Sequence, residues 1–267
     1  MPAAATLAFL GENHALAAEL GIPASQINHR QLLNWLDYDR AVKTPYEISR
    51  LRQANAHALQ GHAAAEQRFR AGGDEYDIHH AYLAACRLLD QELPYSNIIA
   101  LNEKAAILHY QNKRRYADRA SQPPNQVLLI DAGCRAYGYC SDITRTWAAP
   151  DTHPVFHALL QGMQALQTSL VNSVMPGVSF ADLHRQAHLA IGQLLVDCDI
   201  CHGDAQTLVD SGTSTVFFPH GLGHLLGLQV HDVGGRLANR DGELAPPPPA
   251  WPGLRNTRTL DAGAVVT

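Results

Sequence analysis

Three histidines fall within FPHGLGHLLGLQVHDVGG (218–235): His220, His224 and His231, spaced four and then seven residues apart. A spacing of four would set two imidazoles on one helix face, as in H-E-x-x-H zinc sites. Here the intervening residues are Gly221-Leu222-Gly223, and no glutamate follows His220. Each glycine disfavours a helix by roughly 1 kcal/mol, so an extended or turning chain is expected, sending His220 and His224 to different neighbours. At most one of the three then ligates a given metal. The others are left for proton transfer or for contact with an oxyanion.

The second chemical stretch is QVLLIDAGCRAYGYCSDITRTW (126–147), with Asp131 and Asp142. If its two strands form a hairpin centred on Ala136-Tyr137, the two aspartates lie opposite each other, with Cβ atoms roughly 5 Å apart. Asp131 also ends the apolar run Val127-Leu128-Leu129-Ile130, where an unpaired charge is costly. One or two divalent cations bridging the carboxylates would relieve both problems. The alternative is that each aspartate caps a turn or pairs with Arg145.

A third pattern reads as a decoy. Cys198-Asp199-Ile200-Cys201-His202 has the spacing of a c-type haem attachment site, and Cys-x-x-Cys can be redox-active or bind zinc. Without a second cysteine pair or an export signal, small residues near a helix end are the simpler reading. The five cysteines are odd in number and scattered, which argues against a disulfide framework.

The bulk of the chain can position such groups. It has 267 residues, 46% apolar and 17% charged, enough for a buried core. A net charge of −5 gives no electrostatic case for nucleic acid or for an anionic membrane. No apolar run reaches the roughly 18 residues of a membrane helix, and the start lacks the pattern of a secretory signal. A cytoplasmic protein is expected.

The elements follow from periodicity and punctuation. Residues 5–12 read as a short strand and residues 26–38 as a helix. Thr44-Pro45-Tyr46-Glu47 is a capping box with proline at the first helical position, opening a long helix to about Phe69. Gly72-Gly73 ends it, and Asp74 opens a second helix through Leu89. Residues 95–101 and 105–110 read as strands around Asn102-Glu103, 112–125 as a loop, and 126–133 and 139–147 as strong strands. Helices are expected over 154–174 and 179–196, and a surface loop over Pro246–Pro249. The order of helix pair, strands, helix pair, strands gives an α+β fold with a weak internal duplication.

Taken together, D-A-G-x(8)-D-x-T-R-T and P-H-G-x-G-H-x-x-G-x-x-V-H-D resemble the pita-bread metallopeptidases, which include prolidase, aminopeptidase P and methionine aminopeptidase. PYSNIIALNEKAAILHY and HGLGHLLGLQVHDVGG are most similar to the prolidase branch, and the resemblance runs from about Leu7 to Thr267. It implies a pita-bread (creatinase/aminopeptidase-like) fold. Asp131, Asp142 and His224 are implied as metal ligands, with Asp142 bridging two divalent ions. Manganese is the first choice for these, with cobalt or zinc as alternatives. His231 is implied to stabilise the tetrahedral intermediate or shuttle a proton, and His220 to lie near the substrate and leaving group. His109 is implied to contact the scissile region, and Arg255 to hold the carboxylate of a dipeptide substrate. The implied activity is hydrolysis of Xaa-Pro dipeptides by a metal-activated water, with organophosphate esters as side substrates and a homodimer as the assembly.

The resemblance also sets expectations about extent. Residues 1–40 would be the end of an N-terminal domain plus linker, and 41–267 the catalytic domain, with the chain appearing truncated at both ends. Two glutamate ligands expected just after the strand 264–267 are not reached. A chain with three of five ligands is expected to bind metal weakly and to be weakly active or inactive. The competing expectation is a non-catalytic domain that acts as a binding or interaction module.

Overall fold

The computed structural model describes residues 7–117 and 119–267. Two short helices come first, α1 (His14–Glu19) and α2 (Arg30–Asp39). The strand expected at 5–12 begins outside the described residues, and its remainder makes a single parallel bridge, Phe9 to Ile27. The helix expected from residue 26 starts at Arg30, after a 3-10 turn over Ala24–Gln26.

Two capped helices form the first half. In α3 (Pro45–Arg70), Thr44 Oγ1 accepts from the Glu47 amide, and Glu47 Oε2 accepts from the Thr44 amide at 2.8 Å. Asp74 and Asp77 repeat this reciprocal cap at the start of α4 (Glu75–Cys86). Each cap satisfies amides that a helix start leaves without partners. Arg87, in the left-handed region, stops α4 three residues short of the expected end at Leu89.

Against this pair lies an antiparallel sheet, in the order β1 (Ile98–Leu101), β2 (Val127–Ala132), β5 (Ile143–Ala148). Between β2 and β5 sits the small ladder of β3 (Arg135–Ala136) and β4 (Tyr139–Cys140). The main core is the contact of helices and sheet: Ala58, Ala65 and Phe69 of α3, Ile78 and Tyr82 of α4, Ile99, Leu128 and Ile130 of the sheet.

The register corrects one expectation. The turn is at Tyr137-Gly138, both with positive φ, so Ala136 pairs with Tyr139 and Asp131 faces Thr144 rather than Asp142. Tyrosine in the left-handed region is uncommon, which leaves the turn without an ideal two-residue signature. Moving the turn by one residue shifts the pairing by two, which preserves the face on which each side chain lies. Both aspartates therefore still point to the same side.

A second correction concerns residues 105–110. Asn102–Ala106 form a 3-10 helix where a turn between strands was expected, and residues 107–110 form no strand. Asn102 takes φ +57, and its side-chain oxygen accepts from the Gln126 and Val127 amides, capping β2. Ile107 and Leu108 are apolar but exposed; hydrophobic composition alone had marked them as strand.

The second half opens with the expected helix pair, α5 (Pro154–Ser173) and α6 (Phe180–Asp197), followed by two short helices not anticipated, α7 (Ala205–Asp210) and α8 (Thr213–Phe217). Cys198 and Cys201 lie just past the end of α6. One face of α6 buries Phe180, Leu183, His184, Ala187, His188, Ile191 and Leu195, the i, i+3/i+4 stripe of a helix packed on a core. Among the described residues the later strand expectations reduce to isolated bridges, Ser179–Thr259, Leu225–Val266 and Leu237–Leu244. The helix-pair repeat is therefore present, while its second hairpin is not a regular ladder here.

The segment around Arg40 is stitched to the second half. Arg258 donates to the Tyr38 carbonyl, Arg240 pairs with Asp39, and Arg40 and Lys43 both pair with Asp232. No helix among the described residues is long and apolar enough to cross a membrane.

Candidate metal centre and active site

The site forms where the β2–β5 hairpin meets the histidine-bearing segment. Asp131 is carried by β2 and Asp142 immediately precedes β5. Both reach the hydroxyl of Tyr95, which lies 2.6 Å from Asp131 Oδ1 and 2.8 Å from Asp142 Oδ1. A phenol carries one proton and can satisfy only one of the two carboxylates at a time. Burial and the two carboxylates hold the Tyr95 phenol protonated. Tyr95 was not singled out from the sequence. The register explains its place: Ile98 pairs with Asp131, so the tyrosine just ahead of that strand falls beside the aspartate.

His224 completes the group. Its Nδ1 lies 3.0 Å from the Leu225 carbonyl, and its Nε2 stands 3.1 Å from Asp142 Oδ2. Its backbone is held by residue 267: the Thr267 amide donates to the His224 carbonyl, and Thr267 Oγ1 donates to the Asp142 carbonyl. A side chain at Gly223 would collide with the Thr267 carbonyl. The glycines that argued against a helix are thus what let two backbones approach closely.

The two carboxyls differ. Burial and the neighbouring Asp142 push Asp131 up to about 6, although the Tyr95 hydrogen bond opposes the rise. Burial also acts to raise Asp142, but hydrogen bonds from His224 and Tyr95 more than offset it, leaving this carboxyl below the ordinary range. Two half-buried carboxylates that strain against joint ionisation fit a site for a cation. The donor set is oxygen-rich with one imidazole and no thiolate, which suits a hard or borderline divalent ion. Among the described residues, no three ligand-type side chains already converge on a single point: Asp131, Asp142 and His224 form a chain linked through Tyr95.

Other expected residues gather around this chain. His231 packs edge-on against His224, with ring centroids 4.4 Å apart. Desolvation lowers its pKa, and the proximity of His224, Arg255 and His109 lowers it further, against the charge of Asp142. His109 and Arg255 therefore stand within electrostatic reach of His231, both with exposed side chains. His220 is set apart. Its ring is 5.1 Å from Phe218, its Nδ1 is 2.9 Å from the Gly221 carbonyl, and its charge acts on His184 of α6.

Asp232, beside His231, was also missed as a structural anchor. Its side chain is 2% exposed and takes Arg40 at 2.5 Å and Lys43 at 2.9 Å. A side chain at Gly227 would collide with Asp232 Oδ2, so the two turns of this segment pack directly on each other.

The chain belongs to metallopeptidase family M24, matched over residues 49–267, and its helix-backed antiparallel sheet is that of a metallopeptidase of the pita-bread type. It is 45% identical over 261 residues to the Xaa-Pro dipeptidase of Shewanella denitrificans, covering 97% of this chain and 57% of that protein. It is 44% identical over 267 residues to the Xaa-Pro dipeptidase of Stenotrophomonas maltophilia, covering 98% and 59%. The chain thus spans less than two thirds of the length of the curated relatives it matches. Among solved structures it superposes on zinc-substituted Escherichia coli aminopeptidase P in complex with product, with a TM-score of 0.70 and 27% identity, covering 86% of this chain and 51% of the other. The same enzyme with the inhibitor Pro-Leu gives a TM-score of 0.71 at 27% identity and the same coverage.

Proposed function

We propose that this chain carries the aspartate–histidine part of a two-metal centre and belongs to an enzyme that hydrolyses Xaa-Pro dipeptides. The observation that carries the reading is the sharing of one Tyr95 hydroxyl by Asp131 and Asp142, with His224 Nε2 on the far side of Asp142. The names of the similar dipeptidases support the substrate class.

When bound, a pair of divalent ions would lower the pKa of a shared water and polarise the carbonyl before proline. Asp131, Asp142 and His224 would hold them, and the two further glutamates that the family resemblance expects would complete the shell. Manganese suits this donor set, with cobalt or zinc as alternatives. His231, neutral at pH 7 because its pKa is lowered, can accept or return a proton beside the reacting carbonyl. Arg255 offers a fixed positive charge for the free carboxylate of a dipeptide, the contact that would exclude longer peptides. His109 would face the scissile region, and His220 would approach the leaving group from the α6 side. An organophosphate ester presents a similar tetrahedral centre to the same groups.

In this reading residues 41–267 form the catalytic domain, and residues 1–40 the end of a preceding one. The five unpaired thiols agree with a reducing cytoplasm, and a homodimer rests on the resemblance alone. Hydrolysis of Gly-Pro and Ala-Pro with added Mn²⁺, alongside elemental analysis, tests the reading. It fails if the protein binds no metal at millimolar Mn²⁺ and turns over neither dipeptide.

A further inference from the structure

The carboxylate of Glu75, in the first turn of α4, is fully buried and takes no part in the site above. It gathers four donors from the segment that carries His109. Oε1 accepts from the Leu101 amide at 2.9 Å and from Lys104 Nζ at 2.7 Å. Oε2 accepts from the Tyr110 hydroxyl at 2.9 Å and from the Arg114 amide at 2.8 Å.

Outside Glu75, its hydrogen bonds to α4 lie at the far end, where the Tyr116 amide donates to Asp74 Oδ2 and the Arg114 carbonyl accepts from the Tyr76 amide. Residues 107–116 form neither helix nor strand, and Ile107, Leu108 and His109 are all exposed. His109 also sits at φ +57, a conformation that non-glycine residues seldom adopt unless the surroundings impose it. The adjoining Tyr110 is buried with Ile98 and Ala100 beside the sheet, and its hydroxyl ends on Glu75. The charge of one buried carboxylate is matched by Lys104 and by two backbone amides, the strong form of hydrogen bonding.

We infer that Glu75 is the positioning residue for His109, fixing the 101–114 loop from beneath so that His109 is held towards His231. This deepens the function proposed above and rests on its assignment of His109 to the substrate. A glutamine cannot substitute: whichever way its amide turns, the NH₂ group faces either the Leu101 amide and Lys104 or the Arg114 amide, donor against donor.

The test combines Glu75→Gln with His109→Asn, since asparagine tolerates the left-handed backbone. In hydrogen exchange, Glu75→Gln is expected to speed exchange over 107–114 by at least about tenfold while 78–83 and 127–132 stay protected. Unchanged exchange in the loop, or equal acceleration everywhere, overturns the inference. With Mn²⁺ and Gly-Pro, Glu75→Gln is expected to raise KM about tenfold with kcat within about threefold, and to have no further effect in the His109→Asn background. Effects that simply add overturn it. If the unsubstituted protein neither hydrolyses Gly-Pro nor responds to His109→Asn, the functional reading falls, and the exchange result alone decides the role of Glu75.

Discussion

Asp142 Oδ2 stands 3.1 Å from His224 Nε2, joining the hairpin of the first half to the glycine-rich segment of the second. This pair makes the site a composite of two distant sequence motifs. Replacing Asp142 by Asn removes the charge shared by His224 and Tyr95. Mn²⁺ affinity should then fall by more than the ~10–100-fold typical of a residue that only supports a ligand. Isothermal titration of the purified variant checks this, with circular dichroism to confirm that the fold is kept.

Tyr95→Phe separates support from ligation. The ring remains, but the hydroxyl that meets both carboxylates is lost. Mn²⁺ affinity should drop about 10–100-fold, while the unfolding free energy changes by no more than about 1–3 kcal/mol. A change in stability without a change in affinity would place Tyr95 in the scaffold alone.

The ion triad of Arg40, Lys43 and Asp232, the last two buried, anchors the His231 turn. The Lys43 and Asp232 side chains are 1% and 2% exposed, and burial lowers the Lys43 pKa although Asp232 opposes this. Asp232→Ala leaves the ammonium buried without its partner and should cost about 3–5 kcal/mol in urea unfolding. Replacing Lys43 by Met in the same chain should recover much of that loss.

The histidine pair on α6 sets an acid limit on stability. Burial, with His188 and His220 adding, pulls His184 down to about 4, against an ordinary value of about 6.5. Above pH ~6.5 both folded and unfolded states are neutral there, and stability is full. Between about pH 6.5 and 4 the unfolded chain takes up the proton and the folded chain does not, so stability declines by on the order of 3 kcal/mol and then levels off. Urea midpoints at pH 7, 5.5 and 4.5 should follow this curve, and His184→Gln should flatten it.

The residues show why some of this was readable in advance. Caps are local chemistry, so Thr44 with Glu47 and Asp74 with its first turn announced two helices within a residue or two. The two aspartates could be grouped because alternation along a strand fixes the face even when the register is two residues out. Glu75 and Tyr95 could not be ranked from sequence, because their meaning lies in which distant donors and carboxylates the fold brings to them. Residues 105–110 misled because apolar composition resembles a strand whether or not the fold buries it.

The most direct test of the central claim is an equilibrium Mn²⁺-binding isotherm, read by electron paramagnetic resonance, for the unsubstituted chain beside Asp142→Asn and His224→Ala. The account predicts saturable binding that either substitution weakens by at least about 100-fold. Binding that is unchanged in both variants, or absent from the unsubstituted chain at millimolar Mn²⁺, would contradict it.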